Sequence, residues 1–338
     1  MREPHPFSPY VAALGRGRTR SRPLTFEEAE DAMGMILRRE VEPEQLGAFL
    51  MLLRVKEETP EEIAGFTKAA KALFELPDPL PAVDLDWGSY AGKRRQLPWY
   101  LLAALALVQS GVRLFMHGTE GHTPGRLYTR ETLELLGLPV ATSLQEAADR
   151  INASGFAYLP LEYLSPKLHE IIEMRPLFGL RSPVHTISRM LNPFGARATL
   201  QGIFHPGYMD THQHAAKLLG EQHMAVFRGE GGEVECRPNK PFEVRTLHDG
   251  EFASEQWPRI LDQHHQVIDK EMDAERLKAV WHSDEQSDEQ DEYATAAITG
   301  TLAVALKLMG RADTIEDALQ MGGALWQARD RDQLKLAS

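Results

Sequence analysis

The chain has 338 residues, 43% hydrophobic and 25% charged, which suits a globular protein of one large domain or two unequal ones. No apolar run approaches the roughly 20 residues that span a bilayer, and the N-terminal stretch lacks a signal peptide's apolar core. The lone Cys236 excludes an internal disulfide, so a cytoplasmic protein with no membrane partner is expected.

The net charge of −12 argues against a polyanionic partner, but its distribution does not: residues 262–292 hold eleven acids against three bases. Arg16, Arg18, Arg20 and Arg22 alternate along an N-terminal segment whose only acid is Glu3. Next, Thr25 and Glu28 form a capping box, with Leu24 and Ala29 placed for a hydrophobic staple, and predict a helix to about Arg39. A second helix follows Pro43, with Leu46, Phe49, Leu50 and Leu53 at helical spacing. Thr59, Pro60 and Glu62 start a third, to about Phe74. Residues 1–77 are therefore expected to be a helical domain with an Arg-rich, mobile arm at 1–23.

From Val83 short apolar runs alternate with helices. Residues 112–118 and 156–160 read as strands, 129–139 and 143–155 as helices, and 200–205, 223–229 and 243–247 as further strands. This alternation predicts an α/β domain over 78–338, with a largely parallel sheet covered by helices. Between the strands, 164–195 reads as helical, rich in Arg and His; the helices of about 163–190 are expected to join the helical domain. A final helix ends near Gly310, with acids before and within its first turn, as the helix dipole favours.

The stretch 86–100 has the most chemical content. A strand enters a turn with Gly88 and Gly92, three cations follow (Lys93, Arg94 and Arg95), and an apolar helix begins after Pro98. Strand, glycine turn and helix N-terminus make an anion site, because backbone N–H groups and the helix dipole converge there; the plain alternative is a solvated loop whose bases cluster. Elsewhere the bland assignments are preferred. Cys236 reads as a structural thiol and His185 as a hydrogen-bonded core residue. His212 and His214, two apart, do not share a helix face for a metal. The GEGGE segment reads as a hairpin turn with solvated acids.

Several motifs together resemble the anthranilate phosphoribosyltransferase superfamily, closest to the divergent YbiB-type, TrpD-like branch. They are residues 24–65, the GSYAG turn at 88–92, FMHGTEGHTPGR at 115–126, and FGLRSPVHTISRMLNPFG at 178–195. The resemblance implies a helical domain plus a larger α/β domain, and a homodimer formed through the helical part. It also shows departures. The family's GTGGD turn is here Gly88, Ser89, Tyr90, Ala91 and Gly92, and the phosphate-contacting element after it is replaced by Pro98, Trp99, Tyr100 and Leu101. His117 and Gly118 persist in the KHGN element, whereas Met116 replaces its Lys and Thr119 its Asn. The acidic pair for magnesium falls on Glu233 and Val234, with Glu230 a weak substitute. Arg175 matches the arginine that contacts the acceptor's carboxylate; Arg181, Asn192 and Pro193 hold their positions, while His185 replaces an Asn and Arg189 a Pro.

Three functions are compatible with these residues. The favoured expectation is sequence-nonspecific binding of DNA or RNA on a degenerate transferase fold. Phosphates would meet Lys93, Arg94 and Arg95, with Gly88 and Ser89 in the turn, Arg126, Arg130, Arg175, Arg181 and Arg189 along the cleft, and Arg16, Arg18, Arg20 and Arg22 on the arm. Bases would stack on Tyr90, Trp99 and Tyr100. The alternative is phosphoribosyl or glycosyl transfer to an acceptor other than anthranilate; a dimeric scaffold is the third. No cofactor is expected to be required, with Mg²⁺ entering only alongside phosphoribosyl diphosphate. No catalytic residue is assigned; His117, Gly118 and Thr119 are the residual cleft.

Overall fold

The computed structural model describes residues 3–17, 19–262, 267–269, 271–283 and 289–334. Arg18 and residues 284–288 of the acidic stretch lie outside them.

Both anticipated capping boxes form. Thr25 and Glu28 open the helix Phe26–Leu37, and Thr59 and Glu62 open Pro60–Lys71. Glu62 does more than cap its own helix: one oxygen accepts from Thr59 N at 2.9 Å and the other from Leu24 N at 2.8 Å, so one carboxylate fixes the start of two helices. The third helix, Pro43–Lys56, buries Leu46, Phe49, Leu50 and Leu53, the stripe read from the sequence. The arm departs from expectation. Ser8–Gly15 is a helix without a side-chain cap, held down by the fully buried Phe7 against Phe49 at 5.1 Å between ring centres. Arg16 and Arg20 are exposed, and Arg22 is paired with Glu28 at 2.6 Å.

The sheet has seven strands: β1 Leu85–Ser89, β2 Leu114–Gly118, β3 Phe156–Pro160, β4 Ala198–Ile203, β5 His223–Arg228, β6 Phe242–His248 and β7 Glu251–Trp257. Their order is β3-β2-β1-β4-β5-β6-β7; β1 to β5 run parallel, and β6 and β7 antiparallel. Strands β1 to β4 are buried along their whole length, polar residues such as Asp86, His117 and Gln201 included. Successive residues feed opposite cores. Leu114 and Met116 point to the core shared with helices Tyr100–Gln109 and Glu289–Leu308, and Phe115 points to the core shared with the N-terminal helices. Helix Met209–Leu218 packs on Pro60–Lys71, joining the helical part to the sheet.

The chain leaves β1 for β2 and β3 on one side and returns to β4 on the other. The sheet therefore has a switch point between β1 and β4, and a crevice opens beyond their C-terminal ends, where ligands of such sheets bind.

Candidate functional site

Strand β1 runs on through Gly88 to Ser89, further than expected, and the turn beyond it is already filled. The N–H groups of Ala91 and Gly92 both donate to Glu233 Oε1 at 2.6 Å, and Ser89 Oγ donates to Glu233 Oε2 at 2.9 Å. The first N–H of helix Tyr100–Gln109 donates to Glu235 Oε2 at 2.9 Å, and Lys93 Nζ pairs with Oε1 of the same carboxylate. An anion site of strand, turn and helix end does exist, and the chain's own carboxylates occupy it. Gly92 makes the turn possible with φ of +69°, and the Tyr128 ring would lie 2.7 Å from any Cβ there. Gly229 lets the acidic loop close: a Cβ on it would meet the Glu233 carbonyl oxygen at 1.6 Å.

These contacts correct the expected basic surface. Lys93 is 1% exposed and Glu235 fully buried, so Lys93 offers nothing to a ligand. Burial pushes the Glu235 carboxyl up to about 7, against the pull of Lys93. Arg94 and Arg95 are exposed but stand without their third member. Tyr90, Trp99 and Tyr100 are at most 1% exposed and cannot stack on bases. Instead Tyr90 Oη bonds His117 Nδ1 at 2.6 Å, and Tyr100 Oη bonds Thr129 Oγ1 at 2.8 Å. The GEGGE segment is not a hairpin turn between strands but a single helical turn at Glu230–Gly232, and its acids are not solvated: Glu233 is 1% exposed, and Glu230 is paired with Arg237 at 3.3 Å.

The residual cleft is partly assembled. Buried His117 holds Asp86 through Nε2 at 3.2 Å, an acidic orienter not legible from spacing. Gly118 closes β2, and Thr119 Oγ1 lies 3.4 Å from His169 Nδ1. His117 does not meet His122. The partner of His122 is His185, at 5.0 Å between ring centres, with the Tyr128 ring at 5.3 Å. His185 is buried as expected, but among the described residues its side chain makes one hydrogen bond, a long one of 3.4 Å with Ser182 O, and its Nε2 has no partner. Helix Met209–Leu218 buries His212 on Gln201 and leaves His214 exposed, so they form no ligand pair. Cys236 is fully buried, its N–H bonded to Thr301 Oγ1.

Of the five cleft arginines, Arg130 is withdrawn, paired with Glu162 at 2.7 Å and Glu134 at 3.2 Å. The other four converge. Arg126 donates to Ala91 O and Gly92 O, Arg175 to His122 O and Thr123 Oγ1, Arg181 to Thr123 Oγ1, and Arg189 to Gly202 O and His185 O. Among the described residues none of the four is ion-paired. Their mutual effect is visible on their neighbours: burial first, then these four charges, pull His122 down to about 3, and burial with the other three guanidiniums pulls Arg181 down to about 10. His122 and His185 are therefore neutral at physiological pH. For a metal the position is different. Among the described residues no cluster of His, Cys, Asp or Glu could hold one. Glu233 spends both oxygens on the turn, and Glu230 is engaged by Arg237.

Comparison with known proteins places this geometry. The helical bundle domain of a glycosyl transferase family matches residues 8–73. Anthranilate phosphoribosyltransferase of Beijerinckia indica is 29% identical over 251 residues, 73% of this chain and 71% of that protein. The Geobacillus enzyme of the same name is 27% identical over 310 residues, 88% of each. Among solved structures, anthranilate phosphoribosyltransferase (TrpD) from Thermus thermophilus superposes with TM-score 0.76 at 21% identity, covering 94% of each chain. The Saccharomyces cerevisiae enzyme in complex with PRPP and Mg gives 0.74 at 17% identity, covering 95% of this chain and 93% of that one. These relatives overturn the expectation of nucleic-acid binding: they are transferases, and the lysine and rings assigned to phosphates and bases are internal.

Proposed function

We propose that this chain, which belongs to the anthranilate phosphoribosyltransferase superfamily, transfers a phosphoribosyl or related glycosyl group to an acidic acceptor other than anthranilate. The observation that carries this is the crevice itself. Arg181, which lines it, and Arg175, which shares its Thr123 contact, match family positions and have no ion pair among the described residues, while His185 and Arg189 stand where the family has Asn and Pro. The fold and the acid-binding arginines support transfer to an acid, and the altered wall disfavours anthranilate.

In such a transfer the acceptor's nucleophile forms the bond to C1 of the ribose as the bond to the pyrophosphate oxygen breaks, and pyrophosphate leaves with the electron pair. Arg175 and Arg181 would orient the acceptor's acid. The N–H groups of Ala91, Gly92 and Tyr100 are the donors that pyrophosphate would use, on withdrawal of the acidic loop. The carboxylates as arranged do not fit Mg²⁺, which needs oxygens facing it, so no step is assigned to the ion.

A release assay tests the proposal. With PRPP and Mg²⁺ supplied, pyrophosphate should appear with acidic acceptors but not with anthranilate, and Arg175→Ala should lower kcat/KM at least about 100-fold, as loss of a charge-assisted contact implies. Turnover of anthranilate as fast as of any other acid would show the acceptor assignment wrong.

We further infer a homodimer through the helical part, in the cytoplasm. Met33, Met35 and Phe49 of the helical part are buried within it and leave little apolar surface for a partner. Support comes instead from Val55, 83% exposed on helix Pro43–Lys56, and Leu177, 80% exposed beside Phe178, which packs near Gly47 of that helix. A buried single thiol suits a reducing compartment. Sedimentation at micromolar concentration should give twice the 38.0 kDa chain mass, and Val55→Asp with Leu177→Asp should give the monomer.

A further inference from the structure

The arginine crevice holds more positive charge than one carboxylate requires. A cavity opens beside Arg181, Ser182, His185 and Arg189, lined also by Arg54 and Glu58. Among the described residues Arg181 makes one hydrogen bond, at 3.3 Å to Thr123 Oγ1. A guanidinium carries five N–H donors, so most of its capacity is left for a ligand or water. Arg189 is 9% exposed and bonded only to carbonyl oxygens. The one carboxylate charge that acts on it, Glu233, is spent on the turn.

A second observation, independent of charge, comes from neutral groups. Ser182 Oγ and His185 Nε2, both on residues 7% exposed, have no hydrogen-bond partner, and neither ring nitrogen of the equally buried His122 has one. Buried polar groups are almost always satisfied, so Ser182 Oγ and His185 Nε2 left open on one cavity wall, with the His122 ring packed against His185, mark the place of a polar ligand. Glu58, which also lines the cavity, does not cancel the attraction, because burial raises its carboxyl to about 7 and Arg54 stands beside it.

We propose that this cavity recognises a second acidic group on the acceptor, making the preferred substrate a small aromatic dianion. Arg175 and Arg181 take one acidic group; Arg189, with Ser182 Oγ and His185 Nε2, takes the other. Ring contact comes from His122 and Tyr128, whose planes already meet edge to face. This assignment rests on the transferase reading, which it narrows from acids in general to doubly charged ones.

Calorimetric titration of the full chain with benzene-1,2-dicarboxylate and with benzoate separates the two ideas. At pH 7.5 the dicarboxylate should bind at least tenfold more tightly. Arg189→Met should cut that preference to below threefold while leaving the benzoate affinity within twofold. Because Arg189 is buried and its loss could disturb folding, Ser182→Ala, which removes only an unbonded hydroxyl of the second subsite, provides a second variant, in which the dicarboxylate preference should fall at least threefold with the benzoate affinity within twofold. Equal affinity for the two probes, no binding of either, or an unchanged preference in both variants would overturn the proposal. Tight dicarboxylate binding with no pyrophosphate release from PRPP would sink the transferase reading and leave the dianion site standing; transfer to monoacids with no dianion preference would do the reverse.

Discussion

Replacing Lys93 by methionine should lower stability by about 3–5 kcal/mol, the cost of leaving one member of a buried ion pair alone. The partner, Glu235, is fully buried, and without Lys93 its charge keeps only the Tyr100 N–H at 2.9 Å. The loss should depend on pH. The Glu235 carboxyl already sits at about 7 in the fold, above its usual value, so its contribution is fully present below about pH 4.5 and is lost as pH rises through 7. Removing Lys93 raises that carboxyl further and widens the gap. Urea midpoints of Lys93→Met should therefore fall much less at pH 5.5 than at pH 8. The double variant Lys93→Met with Glu235→Leu should recover most of the loss, since an apolar pair of similar volume replaces a buried ion pair at little cost. A single variant as stable as the parent at pH 8 would mean that the lysine is not buried in solution.

Replacing Glu233 by alanine should raise the affinity for inorganic pyrophosphate at least tenfold. The carboxylate now accepts two N–H groups and a hydroxyl, the donors a pyrophosphate would need, and hydrogen bonds to a charged group contribute roughly 1.5–3 kcal/mol each. A ligand must displace them in the parent and not in the variant. The variant should also lose some stability, because the N–H groups of Ala91 and Gly92 are left buried and unsatisfied. Titration with and without Mg²⁺ decides the role of the carboxylate: weaker pyrophosphate binding in Glu233→Ala, seen only with Mg²⁺ present, would make Glu233 a metal ligand and contradict its role as occupant of the turn.

Much of the framework was legible in the sequence for local reasons. The two capping boxes, the glycine turn and the short strands that alternate with helices each specify structure within a few residues, and they lie close to where expected. Elements without such signals escaped. Helix Ser8–Gly15 has no side-chain cap, and β7 is an edge strand whose outward residues are mostly polar or small. The site was less legible, because its meaning lies in pairings across the chain. Glu233 and Glu235 lie more than 130 residues from the groups they occupy, and no local pattern links them. Nor does composition distinguish Arg130, neutralised by Glu162, from Arg181, which has no ion pair among the described residues. One signal was available for the misplaced rings. The helix after Pro98 is apolar on every side and therefore buried all round, so Trp99 and Tyr100 at its start enter the core with it.

Transferase function depends on whether a donor can take the turn from Glu233. The most direct measurement is a crystal structure of the full chain grown with saturating PRPP and Mg²⁺. The prediction is pyrophosphate oxygens on the N–H groups of Ala91 and Gly92, with the Glu233 carboxylate swung away and the ribose facing the arginine crevice. A structure in which Glu233 stays on those N–H groups, with the donor absent or bound elsewhere, would contradict phosphoribosyl transfer by this protein.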